Sequence, residues 1–249
     1  MSLFGRNSRF PRSVQTELDE RAVYDEAGLT SALLELANNA RLNRSIVLCA
    51  PIYLTETFIV PASLDGLVVR GIGTGTGFFS SAARALPRAV LITEDVTSVT
   101  FQNLSIGGGC ATGLHVAAPV AAKVSIRGCM LTGTTKPLVI TNGFDCSILD
   151  CDVEAGTDPA ELNTCVDSSI VACRFRSALV LSGGSRIVLG QNSQLGAVIS
   201  GATALVASGN VLAGNLDTSA GGGSVIVGNY RNGFTITAAG GDTNTGNHA

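Results

Sequence analysis

Three acids stand at alternate positions in the segment Asp150-Cys-Asp152-Val-Glu154. On an extended strand that spacing puts all three on one outward face, with Cys151 and Val153 on the other. A pair of such carboxylates could serve as acid and base in cleaving a glycosidic bond. A second pattern competes with that chemistry. Asp152 lies 22 residues before Arg174, and Glu154 lies 22 before Arg176. If the chain repeats at that period, each acid meets an arginine on the next strand, a contact of about 0.2–1 kcal/mol per pair. An arginine partner also keeps a carboxylate ionised, the wrong state for a general acid. Cross-coil pairs Asp152–Arg174 and Glu154–Arg176 are therefore expected, and no residue is assigned as catalytic.

The remaining reactive residues form no set. His115, in Leu114-His-Val116, reads as a strand residue with no second His or matched acid to work with. The run Gly71-Ile-Gly-Thr-Gly-Thr-Gly77 lacks the spacing, the Lys and the following helix of a phosphate loop, so a turn between coils is expected. Asp158, Glu161 and Asp167 lack a calcium-ligand spacing. Seven cysteines (49, 110, 129, 146, 151, 165 and 173) are odd in number and contain no CxxC pair, which suits reduced thiols better than disulfides or zinc. Neither a cofactor nor a metal is expected.

Composition narrows the partners. A net charge of −3 over 249 residues, with 14% charged, does not neutralise a phosphate backbone, so nucleic acid is not expected. Membrane is not expected either, because no stretch offers the roughly 18 apolar residues of a spanning helix. Met1 to Arg12 lacks the apolar core of a signal peptide. Trp is absent and aromatics are 5%, thin equipment for stacking on sugars.

The elements that position these residues are repeats. Ile126-Arg-Gly-Cys129-Met-Leu131 recurs 22 residues later as Ile148-Leu-Asp-Cys151-Asp-Val153, and again as Ile170-Val-Ala-Cys173-Arg-Phe175. The second place of the motif continues through Leu104, Cys129, Cys151, Cys173, Asn192, Asn210 and Asn229. Two residues before the first place stand Val99, Val124, Cys146, Ser168, Ile187, Leu205 and Ser224. A unit of about 20 residues made of strand and turn, with no helix, suits a β-solenoid. Equivalent residues then stack in columns about 4.8 Å apart, and an Asn at a repeated bend can bond the Asn above it. Ahead of the repeats, Leu33, Leu34, Leu36, Ala37 and Ala40 predict a helix over about 30–42, capped by Thr30 or Ser31.

These features resemble the right-handed parallel β-helix proteins of the pectate-lyase-like superfamily, which includes phage tailspikes and related virion proteins. The resemblance covers roughly residues 24–236. It is carried by the helix with Asn38-Asn39, the strand Ile52–Val60, the segment Leu64-Asp-Gly-Leu-Val-Val-Arg-Gly-Ile-Gly73 and the Cys and Asn ladders. The fold expected is all-β, a single-stranded right-handed parallel β-helix with an N-terminal capping helix. Residues 1–23 are expected to form an extended arm, 24–236 the β-helix, and 237–249 a flexible tail.

The resemblance implies a non-enzymatic structural protein of a tailed phage or phage-like particle. It would be made in the host cytoplasm and displayed on the virion surface, on head or tail, as decoration, cement or a spike-like part. Phe4, Arg6, Arg9, Phe10, Pro11 and Arg12 of the arm would hold it to capsid or tail proteins. Self-association, as a homotrimer, would cover exposed surface through outward apolar residues such as Met130 and Val211. Two other readings stand beside it: a polysaccharide lyase or glycoside hydrolase using Asp150, Asp152 and Glu154, and a glycan-binding adhesin without chemistry.

Overall fold

A computed structural model describes residues 20–38, 44–73, 75–81, 85–93, 96–154 and 156–248, apart from the side chains of 118–121. The chain forms a parallel β-solenoid of about ten coils, preceded by one helix. Each coil is a set of short strands separated by bends, and each strand pairs in parallel with its equivalent in the next coil. Three stacks result.

The first stack begins with Arg21–Val23, Ser45–Leu48, Leu67–Gly71 and Ser98–Gln102. It continues through residues 123–127, Ser147–Leu149, Ser169–Val171, Val188–Gly190, Val206–Ser208, Val225–Val227 and Thr243–Thr245. The second contains Pro51–Leu54, Gly77–Ser80, Ser105–Gly108, Met130–Leu131, Asp152–Val153, Arg174–Phe175 and Gln194–Leu195. The third runs from Phe58–Ile59 and Arg88–Ile92 through residues 112–117 and Lys136–Gly143. It then passes Ala160–Asn163, Leu179–Ser182, Val198–Ser200 and Leu216–Asp217 to Ile236–Thr237. The long strand Thr112–Arg127 turns the corner between the third and first stacks.

Period-two alternation inside each strand makes the core. Val69, Phe101, Ile126, Ile148, Ile170, Leu189, Ala207 and Ile226 stand opposite one another and are all buried. Phe78, Ile106, Leu131, Val153, Phe175, Leu195 and Leu212 form the matching column of the second stack. Side chains of one type fall on one another, so each coil covers the apolar surface of the next.

The bends obey one rule. The residue before each ladder position has a positive φ: Asn103, Gly128, Asp150, Ala172, Gln191, Gly209, Gly228 and Gly246. A left-handed residue there turns the chain sharply, and Gly adopts it without Cβ strain. In the corner 71–77, glycine is needed for another reason: a Cβ on Gly77 would come within 1.9 Å of the Ser105 carbonyl oxygen. That run is a turn between the first and second stacks.

Three expectations need correction. Helix α1 spans Glu26–Asn38, starting four residues earlier than predicted. Its cap is Asp25, whose Oδ1 accepts the Gly28 N–H at 2.7 Å, rather than Thr30 or Ser31. It buries Leu29, Ala32 and Leu36, while Leu34 and Ala37 face outward. The strand expected over Ile52–Val60 is two strands in different stacks, Pro51–Leu54 and Phe58–Ile59. Glu26 reaches the corner between them, accepting bonds from Thr55 N–H (2.7 Å) and Oγ1 (2.9 Å).

The third concerns the presumed tail. Residues 237–249 do not begin a tail, because Thr243–Thr245 pairs with Val225–Val227 as a further coil. Asn247 adds the next rung of the Asn ladder, accepting from Asn229 N–H at 2.9 Å. Its inward side is polar: Asn244 occupies the place held by Ile226 one coil earlier.

Candidate functional site

The ladder forms one continuous line of hydrogen bonds. The N–H of Cys151 donates to Cys173 Sγ at 3.4 Å, and that of Cys173 donates to Asn192 Oδ1 at 2.9 Å. Asn192, Asn210 and Asn229 then repeat one arrangement. Each Oδ1 accepts the previous rung's backbone N–H, and each Nδ2 donates to a carbonyl in the preceding coil: Ile170, Leu189 and Ala207. The Cys151 and Cys173 thiols fill the same two roles, donating to the carbonyls of Ile126 and Ile148. Cys129 is buried at the head of this line, its thiol bonded to the Arg127 carbonyl. The column is structural. All seven cysteines are free, and every one except Cys49 is buried. Burial pushes the Cys110 thiol up to about 11 and the Cys165 thiol up to about 12, so both stay protonated and unreactive at neutral pH.

The acids of the second stack meet the expected arginines, with one change of geometry. Asp152 stands opposite Arg174, but at 3.9 Å. Arg176 makes the close contacts, 3.0 Å to Asp152 and 3.0 Å to Glu154. One guanidinium therefore bridges two carboxylates, while Arg174 Nε donates to Gln194 Oε1 at 2.8 Å on the next coil. These contacts lift the Arg176 pKa, first through its bond with Asp152. Asp150 sits at the bend, 3.9 Å from Arg127. Glu161 and Asp167, two of the three acids without a calcium spacing, pair with Lys136 (2.6 Å) and with Arg186. Among the described residues, no group of three or more His, Cys, Asp or Glu is placed to hold a metal ion.

His115 has neighbours that its sequence context does not reveal. In the third stack its Nδ1 accepts a 2.7 Å bond from Arg88 Nε. Burial first, then the charges of Arg88 and Lys136, hold its pKa below the usual imidazole range. It is a neutral acceptor on a strand, with no carboxylate hydrogen bonded to it among the described residues.

The outer face of the first stack changes character along the solenoid. One outward column reads Thr100, Ser125, Ser147, Ser169, and then Val188, Val206, Val225. The neighbouring outward column contains Leu149, Val171 and Val227. Val188, Val225 and Val227 are 37%, 38% and 38% exposed and Val206 between them is half-buried, which makes an apolar strip across three coils, while Gly190 and Ser208 separate Val171 from Val227 in the neighbouring column. Surfaces of this kind mark contact sites on soluble proteins. The valines recur at intervals of 18 and 19 residues, in step with the Asn ladder, and that period was the available signal.

Met130 and Val211, the residues expected to mediate self-contact, do not form one patch. They share a column of the second stack, but Asp152, Arg174 and Gln194 lie between them. The attachment residues Phe4, Arg6, Arg9, Phe10, Pro11 and Arg12 lie outside the described residues. Near where the described chain begins, a groove of about 440 Å³ runs between α1 and the following coil, lined by Leu29, Leu33, Leu54 and Phe58 with Glu26 and Glu56.

Comparison with known proteins found no matching family model, no matching curated protein and no matching solved structure.

Proposed function

We propose that the protein is a non-catalytic structural solenoid of a tailed phage or phage-like particle, displayed on its surface and self-associating, as a homotrimer, through the valine face of its C-terminal coils. The observation that carries this reading is the strip of exposed Val188, Val225 and Val227 with half-buried Val206, on a stack of parallel strands whose neighbouring outward column also holds half-buried Leu149 and Val171. Association buries such a strip at about 25 cal/mol per Å². In a trimer the strips of three copies would face one threefold axis, a closed cyclic arrangement. The virion setting rests on the resemblance to β-helix virion proteins, and attachment rests on the composition of residues 4–12. Against catalysis stands the pairing of Asp152 and Glu154 with Arg176, which commits both carboxylates to an ion pair.

The test is the mass of the particle in solution. Light scattering should give a trimer for the wild-type chain and a monomer for Val206→Glu. A monomeric wild type, or a trimer that survives Val206→Glu together with Val225→Glu, would reject the face. Mixing with undecorated particles then tests attachment, which removal of residues 1–23 should abolish. Turnover of an acidic polysaccharide that is lost in Asp152→Asn would replace the structural reading with an enzymatic one.

A further inference from the structure

Arg231 occupies a position where the fold otherwise places leucine. Leu195 opposes Leu212 in the inward column of the second stack, and Val211 opposes Tyr230, so the next residue, the half-buried Arg231, follows Leu212 on the inward side. Its backbone confirms the register, with Leu212 N–H donating to the Tyr230 carbonyl and Arg231 N–H to the His248 carbonyl. Leu195 and Leu212 are buried, whereas Tyr230 faces outward at 47% exposure. The guanidinium Nε is buried and has no hydrogen-bond partner. No carboxylate among the described residues pairs with Arg231. Asp242, the acid of the last coils, is committed elsewhere, to Ser224 N–H (2.8 Å), Thr218 Oγ1 (2.8 Å) and Ala239 N–H (2.9 Å).

Leaving a guanidinium partly desolvated and unpaired is costly, and cations in that state are ordinarily matched by an anion. The space for one is present. Two adjoining hollows of about 230 and 320 Å³ share Arg231 and Ile236. Asn244, Thr245 and Asn247 line one, and Phe234 and Thr235 line the other. The Asn244 amide and the Thr235 and Thr245 hydroxyls can donate to the oxygens that the planar guanidinium fork does not reach, while Asn247 Nδ2 is already bonded to the Ile226 carbonyl and Asn244 Oδ1.

We propose that this recess, in the last described coils, is a binding site for a small oxyanion, a carboxylate or phosphate group held by Arg231. The recess borders the end of the valine strip, since its lining residue Thr245 pairs with Val227, but anion binding by Arg231 does not depend on the self-association reading.

The experiment is equilibrium dialysis of the full chain against labelled inorganic phosphate and, in parallel, labelled acetate, at fixed ionic strength set with chloride. Thermal unfolding is followed under the same conditions. The wild type should take up one anion per chain at saturation, with a midpoint that rises with anion concentration as mass action requires. Arg231→Leu restores the residue of the two preceding coils, so it should fold at least as stably and bind at least tenfold more weakly. Arg231→Gln serves as a second variant that keeps a polar side chain, and it should lose binding likewise. Saturation by acetate alone assigns a carboxylate ligand, and saturation by phosphate alone assigns a phosphoryl group. Absence of saturable uptake of either anion, or equal uptake by wild type and both variants, overturns the proposal.

Discussion

The coils between residues 123 and 186 and those from 187 to 248 share one fold and hold their register by opposite means. In the earlier coils the buried rungs are thiols, and the outside carries ion pairs linking one coil to the next: Lys123–Asp145, Lys136–Glu161, Arg176–Asp152 and Arg186–Asp167. In the later coils the rungs are asparagines, and the charged residues of that whole stretch are Asp217, Arg231 and Asp242. A thiol is a weak donor and a weak acceptor, whereas a buried amide makes full-strength bonds in both directions. The inner amide ladder sets the stacking of the later coils without help from outside. Their outer surface is then free to be apolar, and that is where the exposed valines lie. The inside of this solenoid thereby decides how much of its outside is available for contact.

Breaking an Asn rung should have the largest effect. Asn210→Ala removes the acceptor of Asn192 N–H and Nδ2 and the donor to the Leu189 carbonyl, leaving buried polar groups unpaired. A loss of about 3–4 kcal/mol is expected in denaturant titration, against about 1–2 kcal/mol for Cys151→Ala. Equal losses for the two variants would erase the distinction between the ladders.

Alkaline pH should separate the two regions next. Burial raises the Cys165 thiol from its ordinary 9.0 to about 12, and the Cys173 thiol is raised by its bond with Cys151 and by burial. A raised folded-state pKa means that the folded chain keeps protons the unfolded chain releases. The stabilising contribution is therefore complete below pH 9 and is lost as pH climbs toward 12. Hydrogen exchange at pH 10 should show residues 146–173 opening more readily, relative to neutral pH, while 192–229 change little. Uniform loosening would count against the thiol explanation.

A smaller gain should come from the bend. Ala172 holds a φ of 57° where equivalent coils use Gly128, Gly209 and Gly228. Ala172→Gly should relieve left-handed strain and stabilise by about 0.5–1 kcal/mol, measured as a shift of the unfolding midpoint. The smallest change belongs to the surface. Arg176→Ala should cost under about 1 kcal/mol and the difference should shrink in 1 M salt, because both acids and the arginine are partly solvated.

Much of this was open to reading because a solenoid repeats its instructions. Cys129, Cys151 and Cys173 and the three asparagines announce their column by spacing alone, since parallel in-register stacking brings equal positions into contact. The register Asp152↔Arg174 followed from the same arithmetic. What spacing could not show was where a long side chain ends: Arg176 swings to bridge Asp152 and Glu154, and Arg88 reaches His115 from 27 residues away. The spacing does not fix the bounds of helix α1, because apolar residues lie on more than one of its faces and only the coil beneath it selects Leu29, Ala32 and Leu36. The final coil is hard to read because its strand Thr243–Thr245 has no apolar residue, Asn244 standing where Ile226 stands one coil earlier, although Asn247 continues the spacing of Asn192, Asn210 and Asn229.

By itself, the amino-acid sequence determined the repeat, its length, the inward columns and the polar ladder, because each follows from period and residue type along one coil. The tertiary structure alone decided how exposed each outward column is and where its long side chains end, so the exposure of the valine strip and the lack of a described partner for Arg231 Nε emerge only in three dimensions. Inward positions must satisfy the same packing in every coil and therefore repeat visibly. Outward positions stack in the same register but are free to vary in type, and their exposure and side-chain contacts depend on how the bends set each strand into its stack.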